Sequence, residues 1–270
     1  MTPPARLLAG AAGLLLATAC VVVPEVPRPH PSLSGSPEAF LQRLAADEST
    51  VSTVRGLASV RYDGPAGGGS ASQVIVVALP DHARLETLTP FGTVAFVLAI
   101  RGEALVVHAP IRHEYGVGRA TRETLERLAR VPIPPGPLLR LLVGLPPLPF
   151  RSGDPRVRTA VDATGIRVES VDGPFWQRVW TGPDGAVVER GELGETTGPL
   201  LRFEFSDRRR LNGAVFPFAV RLDGMPGGTR VGVQYETVRL NEPVEAALFE
   251  LPRPTDGRTR ILDLGAGPPP

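Results

Sequence analysis

The chain has 270 residues, including 30 glycines, 30 prolines and one cysteine, and its formal net charge is +1 at neutral pH. A net charge this small provides no excess of positive charge for binding nucleic acid, and we therefore expect no nucleic-acid partner. One cysteine cannot form a disulfide within the chain, so stability should come from a packed core. Many glycines and prolines with few aromatic residues favour short strands and turns over long helices.

The first twenty residues have the pattern of an export signal. Arg6 precedes an apolar stretch from Leu7 to Ala17, and small residues then lead to Cys20. The stretch is too short to cross a bilayer core, which needs ~20 residues, so residues 1–19 are predicted to be a cleaved signal peptide. Small residues ending in cysteine resemble the lipobox of bacterial lipoproteins, with Ala17 in place of the usual leucine. The resemblance implies a lipid anchor on Cys20; the alternative is an ordinary signal peptide with an incidental cysteine.

The segment after the cysteine predicts a spacer and then a helix. Residues 20–35 are rich in proline and serine and lack periodicity, which is typical of an extended tether. Ser36 is a suitable N-cap and Pro37 a suitable first helical residue. The next apolar side chains share one helix face, so this helix should pack against the domain. They are Phe40, Leu41 and Leu44.

From residue 51 the hydrophobic period changes to two, which predicts β-strands. Five strands are expected at residues 54–62, 72–79, 82–88, 94–100 and 105–108. Helices are expected at residues 121–130 and 137–145, followed by the proline-rich residues 146–149. Strands resume at residues 158–163, 166–171, 175–180, 186–190, 200–206, 215–222 and 229–238. Residues 253–270 are expected to form a disordered tail.

Alternate residues of these strands form one apolar and one polar face, which is typical of an antiparallel sheet wetted on one side. A sheet of about a dozen strands curls, so the prediction is a mainly β fold whose concave apolar face is covered by short α-helices. Two alternatives stay open. The strands could form two β domains joined by residues 119–150, or the helices alone could fill the concave face.

The order of these features resembles the LolA/LolB-like outer-membrane lipoprotein-sorting factors and their lipoprotein relatives. The likeness covers residues 36–252, from the N-terminal helix and the Val54-Arg55-Gly56-Leu57-Ala58-Ser59-Val60 strand to Phe249-Glu250-Leu251-Pro252. It implies one domain, an unclosed β-barrel of about 11–13 strands, with helices as a lid over an apolar cavity that holds acyl chains. The residues then expected to line the cavity are Leu85, Phe96, Leu98, Leu201, Phe203, Phe205, Phe216, Phe218, Val220, Val231, Val233 and Tyr235.

Two local motifs add to the resemblance. Thr89-Pro90-Phe91-Gly92 is similar to the Ser-Pro-Leu-Gly turn of membrane-anchored members, whose protruding apolar residue helps to transfer cargo into the bilayer. This implies a membrane contact for Phe91; the alternative is a Phe91 ring folded onto the core. Phe216-Pro217-Phe218 resembles the start of a late strand in the family. Val21 replaces the aspartate that retains enterobacterial lipoproteins at the inner membrane, which favours the periplasmic side of the outer membrane.

No pattern for catalysis accompanies these features. His108 and His113 flank a turn without a third metal ligand nearby, and neither a nucleophile elbow nor a phosphate loop occurs. We therefore expect a monomeric, non-enzymatic carrier without metal or cofactor. Its expected partners are the bilayer through acylated Cys20, the acyl chains of a lipid or lipoprotein, and a periplasmic carrier protein. The competing hypothesis is an assembly lipoprotein that docks a partner protein without binding lipid.

Overall fold

In a computed structural model of the chain, the described residues are 37–65, 67–150, 153–154, 156–162, 165–182, 187–224 and 228–265. The predicted signal peptide 1–19, the anchor Cys20, the tether 20–35 and the N-cap Ser36 lie outside them. Within these ranges the chain forms three α-helices and fourteen β-strands. No helix in this part of the chain is long and apolar enough to span a bilayer.

The helices are α1 (Pro37–Ser49), α2 (Arg122–Ala129) and α3 (Pro135–Leu142). The first strands are β1 (Thr53–Gly64), β2 (Gly67–Ala78), β3 (His82–Leu88), β4 (Val94–Arg101), β5 (Ala104–Ala109) and β6 (Glu114–Arg119). After the helices come β7 (Arg158–Asp162), β8 (Gly165–Asp172), β9 (Phe175–Thr181), β10 (Val188–Glu195), β11 (Gly198–Leu211), β12 (Ala214–Asp223), β13 (Arg230–Leu240) and β14 (Arg260–Asp263). Short 3-10 helices lie at Pro110–Arg112 and Ala246–Phe249.

All these strands belong to one open sheet, in the order β14-β6-β5-β4-β3-β2-β1-β13-β12-β11-β10-β9-β8-β7. Strand β1 joins the two halves because it pairs with β2 on one side and β13 on the other. The alternative of two separate β domains is therefore wrong, and the predicted large, curved, unclosed sheet with short helices on its concave face is confirmed. The sheet is mixed and not purely antiparallel, because β14 runs parallel to β6.

The predicted division into two faces is clear in β11. Leu201, Phe203 and Phe205 are buried, whereas the alternating Arg202 and Glu204 are exposed. The apolar face continues into one hydrophobic core that also takes up Phe40 and Leu44 of α1 and the leucines of α3. Helix α1 therefore packs on the domain as its sequence predicts.

The C-terminal residues are part of the fold, so the predicted disordered tail is wrong as far as residue 265. Residues 246–251 cross the outer face of β3–β6, where the Tyr115 hydroxyl donates to the Leu251 carbonyl at 2.7 Å. Strand β14 then pairs with β6, and Leu264 is buried. The cover formed by residues 246–251 explains why Val97 and Ala99, on the predicted polar face of β4, are also buried.

Two glycines in β6 make room for the end of the chain. A Cβ atom at Gly116 would lie 2.9 Å from the Leu264 side chain, and one at Gly118 would lie 2.8 Å from it. Glycine in a strand often marks such a close approach. It also weakens the hydrophobic alternation of residues 114–119, which is why the sequence pattern did not predict β6.

Candidate functional site

A cavity of about 300 Å³ lies between the apolar face of the sheet and the lid, which we define as α2, α3 and their connecting segment. Strands β1–β4, β12 and β13 form its floor, and lid residues form its other wall. The lining residues are Val60, Tyr62, Gln73, Ile75, Leu85, Thr87, Phe96, Leu98, Leu128, Ala129, Val131, Leu138, Leu142, Leu222, Val231 and Val233. Among the described residues, no charged side chain lines this cavity.

The cavity wall is apolar except at one end. There the Gln73 amide donates a hydrogen bond to the Thr87 hydroxyl at 3.1 Å, across the pairing of β2 with β3. Tyr62 of β1 also lines the cavity. These three residues were not predicted from the sequence, because each stands near the end of a predicted strand, where a polar residue is ordinary.

The residues predicted to line a cavity divide into two groups. Five of them border it, all on strands of the cavity floor: Leu85, Phe96, Leu98, Val231 and Val233. The other seven do not border it and lie in the packed core: Leu201, Phe203, Phe205, Phe216, Phe218, Val220 and Tyr235. The prediction was too broad because a period of two identifies the apolar face without showing which part the helices cover.

Helix α3 and the residues after it cover Tyr235 and Phe216 of the second group. The Tyr235 hydroxyl donates to the Leu142 carbonyl at 2.7 Å, and its ring meets the ring of Phe216 edge to face. A Cβ atom at Gly144 would come 2.5 Å from the ring of Pro217, so the chain passes very close to β12. Protein therefore fills the concave face over these residues of β12 and β13, whereas the cavity lies over β1–β4 and over Leu222, Val231 and Val233 at the other part of β12 and β13.

Polar contacts hold the lid at both ends of α2. The Thr121 hydroxyl caps this helix by accepting from the Thr124 N–H at 3.3 Å. Arg122 forms an ion pair with Glu195 of β10 at 2.5 Å. Near the other end, the Arg127 guanidinium donates to the Leu264 carbonyl, which joins the lid to the C-terminal segment.

A largely buried ion pair connects the lid to α1. Arg140 of α3 and Glu48 of α1 lie 2.8 Å apart, and their side chains are only 16% and 9% exposed. Burial raises the pKa of the Glu48 carboxyl to about 7, because desolvation outweighs the attraction of Arg140 and the hydrogen bond from the Phe150 N–H. Burial also lowers the pKa of Arg140. The pair therefore joins α1 to α3, although the burial of its two charges is electrostatically unfavourable.

Phe91 is 93% exposed at the tip of the β3–β4 turn, so the alternative of a ring folded onto the core is wrong. The turn is well braced, because the Thr89 and Thr93 hydroxyls are 2.7 Å apart and the Thr89 N–H donates to the Thr93 carbonyl at 2.8 Å. Gly92 adopts a φ of +79°, which favours glycine. The turn therefore holds the Phe91 ring out from the sheet.

A second exposed apolar residue lies at the same end of the sheet. Ile111 is 63% exposed in the 3-10 helix after β5, and the pairing of Val97 with His108 brings this end of β5 beside the start of β4. Ile111 was not predicted from the sequence, because a single apolar residue in a turn carries no pattern. Within the described ranges, no three His, Cys, Asp or Glu side chains are placed to hold a metal ion.

Comparison with known proteins places the chain among similar folds. No protein-family model and no curated protein matches the sequence. A DUF1329 family protein from Desulfovibrio piger ATCC 29098 has a TM-score of 0.56 and 11% identity, over 79% of this chain and 96% of that one. A putative outer membrane lipoprotein-sorting protein domain from Vibrio parahaemolyticus has a TM-score of 0.54 and 10% identity, over 78% and 95%. A LolA superfamily protein from Nitrosomonas europaea has a TM-score of 0.51 and 9% identity, over 81% and 99%.

These similarities cover most of the domain but have low sequence identity, so what they establish is the fold. The predicted resemblance to the LolA/LolB-like proteins is confirmed at that level. The chain therefore shares its fold with these three proteins, one of which is a LolA superfamily protein. In this chain the fold has a cavity under its lid and an exposed phenylalanine at the tip of one turn.

Proposed function

We propose that this protein is a non-enzymatic, membrane-anchored lipoprotein that holds an acyl chain of a lipid or lipoprotein in the cavity under its lid, for sorting or insertion at the outer membrane. The observation that carries the proposal is the cavity itself, about 300 Å³ with an almost wholly apolar lining. Ligand pockets span roughly 300–1,000 Å³, so this one suits a single chain. Burial of apolar surface contributes about 25 cal/mol per Å², which makes an acyl chain a favourable occupant.

The anchor and the location belong to the same proposal. An acylated Cys20 would attach the chain to the bilayer, and the tether at residues 20–35 would give the domain reach. Two acyl chains on the cysteine suffice for lasting attachment, whereas one holds weakly. The name of one similar structure, a putative outer membrane lipoprotein-sorting protein domain, supports an association with the outer membrane. The monomeric state and the periplasmic side are parts of the proposal. A periplasmic carrier protein would then deliver the cargo.

Phe91 and Ile111 would form the face that meets the membrane. Both are exposed apolar side chains at one end of the sheet. Burying one phenylalanine contributes ~1.5–3 kcal/mol, which corresponds to roughly a 10- to 100-fold gain in affinity for the membrane. Phe91→Glu should therefore slow acyl transfer into vesicles by about tenfold or more while the fold stays intact.

A transfer assay tests this role with a matched control. The full chain, loaded with a fluorescent acyl lipid, is mixed with acceptor vesicles, and transfer is followed by loss of quenching. Val161→Glu is the control, because Val161 is 54% exposed on β7 at the far edge of the sheet. Normal transfer by Val161→Glu and slow transfer by Phe91→Glu support the proposal; equal rates for both would refute the role of Phe91.

The second candidate is an assembly lipoprotein that docks a partner protein without binding lipid. One observation favours it, namely that α3 fills the concave face over Phe216 and Tyr235. Extraction of the full chain from membranes with a detergent-free polymer, followed by washing and lipid analysis, separates the two functions. The carrier is supported if acyl lipid is retained in proportion to protein and is lost when Ala129→Trp fills the cavity. The docking module is supported if the amount of retained lipid is the same in wild type and in Ala129→Trp.

A further inference from the structure

Two of the three polar residues of the cavity, Gln73 and Thr87, lie together near the β3–β4 turn, whereas the third, Tyr62, pairs with Gly69, two rows further along β2. Gln73 pairs with Thr87 and Thr87 with Phe96, whereas the next row inward along the strands is Ile75, Leu85 and Leu98. Beside β2–β4 the cavity therefore has an apolar part at Ile75, Leu85 and Leu98 and a polar part at Gln73 and Thr87, which we call the polar end. This polar end lies near the same end of the strands as the turn that holds Phe91.

The polar end can both donate and accept hydrogen bonds. A primary amide has two N–H donors and a carbonyl acceptor, so the bond from Gln73 to Thr87 uses only one of its donors. The Thr87 hydroxyl accepts that bond and keeps its own proton to donate. A carbonyl oxygen placed beside them would accept from the hydroxyl or from the second amide N–H.

The same end is unsuited to an ionised head group. Among the described residues that line the cavity, none is Arg, Lys or His. A buried carboxylate without a cationic partner is strongly disfavoured, whereas a neutral ester or amide needs only a hydrogen bond. The chemistry of the lining therefore discriminates between acyl chains by the charge of their head.

We infer that the cavity selects acyl chains joined through an uncharged ester or amide and rejects fatty-acid anions, with the carbonyl held at Gln73 and Thr87 and the chain running toward Leu98. This inference rests on the proposed function and specifies its ligand. Gln73 and Thr87 are the residues that determine this specificity.

Photoreactive probes of equal chain length test the inference. The full chain in lipid nanodiscs is irradiated at alkaline pH with one of three diazirine probes: a monoacylglycerol, the free fatty acid, or a hydrocarbon without a head. Labelling of cavity peptides is measured by mass spectrometry and divided by the amount of probe in the disc. We expect the ester to label at least ~10-fold more than the anion, as an unpaired buried charge demands.

The double variant Gln73→Leu with Thr87→Val shows which residues are responsible. Ester labelling should fall severalfold in this variant, while hydrocarbon labelling persists and shows that the cavity still forms. Fatty acid that labels as well as the ester, or ester labelling that the double variant leaves unchanged, would overturn the inference and leave the proposed function standing. Failure of all three probes to label the wild-type cavity would overturn both.

Discussion

The buried Glu48–Arg140 pair predicts an unusual dependence of stability on pH. The pKa of Glu48 rises from 4.5 to about 7 in the folded protein, mainly because burial disfavours its charged form. A carboxyl with a raised folded-state pKa stabilises the fold fully below its unfolded-state pKa. That contribution is lost as the pH rises through the folded value. The free energy of unfolding should therefore fall between pH 4.5 and about 7.

The size of this fall follows from the shift. Each unit of pKa corresponds to about 1.4 kcal/mol, so the change from 4.5 to about 7 represents ~3 kcal/mol. Glu48→Gln keeps the size of the side chain and an oxygen for the Phe150 N–H, but it cannot titrate. This variant should lose the fall in stability over that pH range. Removing one partner leaves the buried Arg140 without its counter-charge, which by itself destabilises the fold, so the test is the slope of stability with pH and not the absolute stability of the variant.

Urea unfolding of the full chain, followed by the fluorescence of its two tryptophans, measures this effect across the pH range. Glu250→Gln is the matched control, because Glu250 and Arg101 are each 55% exposed and an exposed ion pair contributes only ~0–1 kcal/mol. The control should keep the wild-type slope. A Glu48→Gln variant that also keeps it would refute the reasoning.

Three further substitutions test the packing of the lid and the C-terminus by the same unfolding measurement. Tyr235→Phe should cost ~1–3 kcal/mol, because it leaves the buried Leu142 carbonyl without its donor; no loss would mean that α3 is not seated there. Gly144→Ala should cost more than Gly213→Ala, since both have positive φ but only the first would place a Cβ 2.5 Å from a proline ring. Leu264→Ala should cost ~2–4 kcal/mol, whereas a free tail would give no change.

Much of the fold could be predicted because side-chain alternation reports directly on a two-faced sheet. From Leu201 to Phe205, buried and exposed residues alternate in the predicted order. Strand β14 could not be predicted, since its four residues form a strand only through pairing with β6. A local pattern contains no information on a partner that lies more than a hundred residues away.

The candidate site was predictable in part for a related reason. Alternation placed Leu98 and Tyr235 on the same apolar face, but only tertiary packing makes one a cavity wall and the other a support for α3. The polar end at Gln73 and Thr87 was missed because its meaning depends on what surrounds it. The exposure of Phe91 was one of two open alternatives, and the bracing of its turn decides between them.

The central claim, that the cavity holds an acyl chain, is tested most directly by cross-linking in living bacteria. A photoreactive p-benzoylphenylalanine replaces Phe96 in the cavity wall or, as a control, Val215, which is 40% exposed on β12. After irradiation, mass spectrometry of the full chain should find an acyl-lipid adduct at position 96 and none at position 215. An adduct at position 96 that joins only to the protein's own lid, with no lipid, would contradict the account.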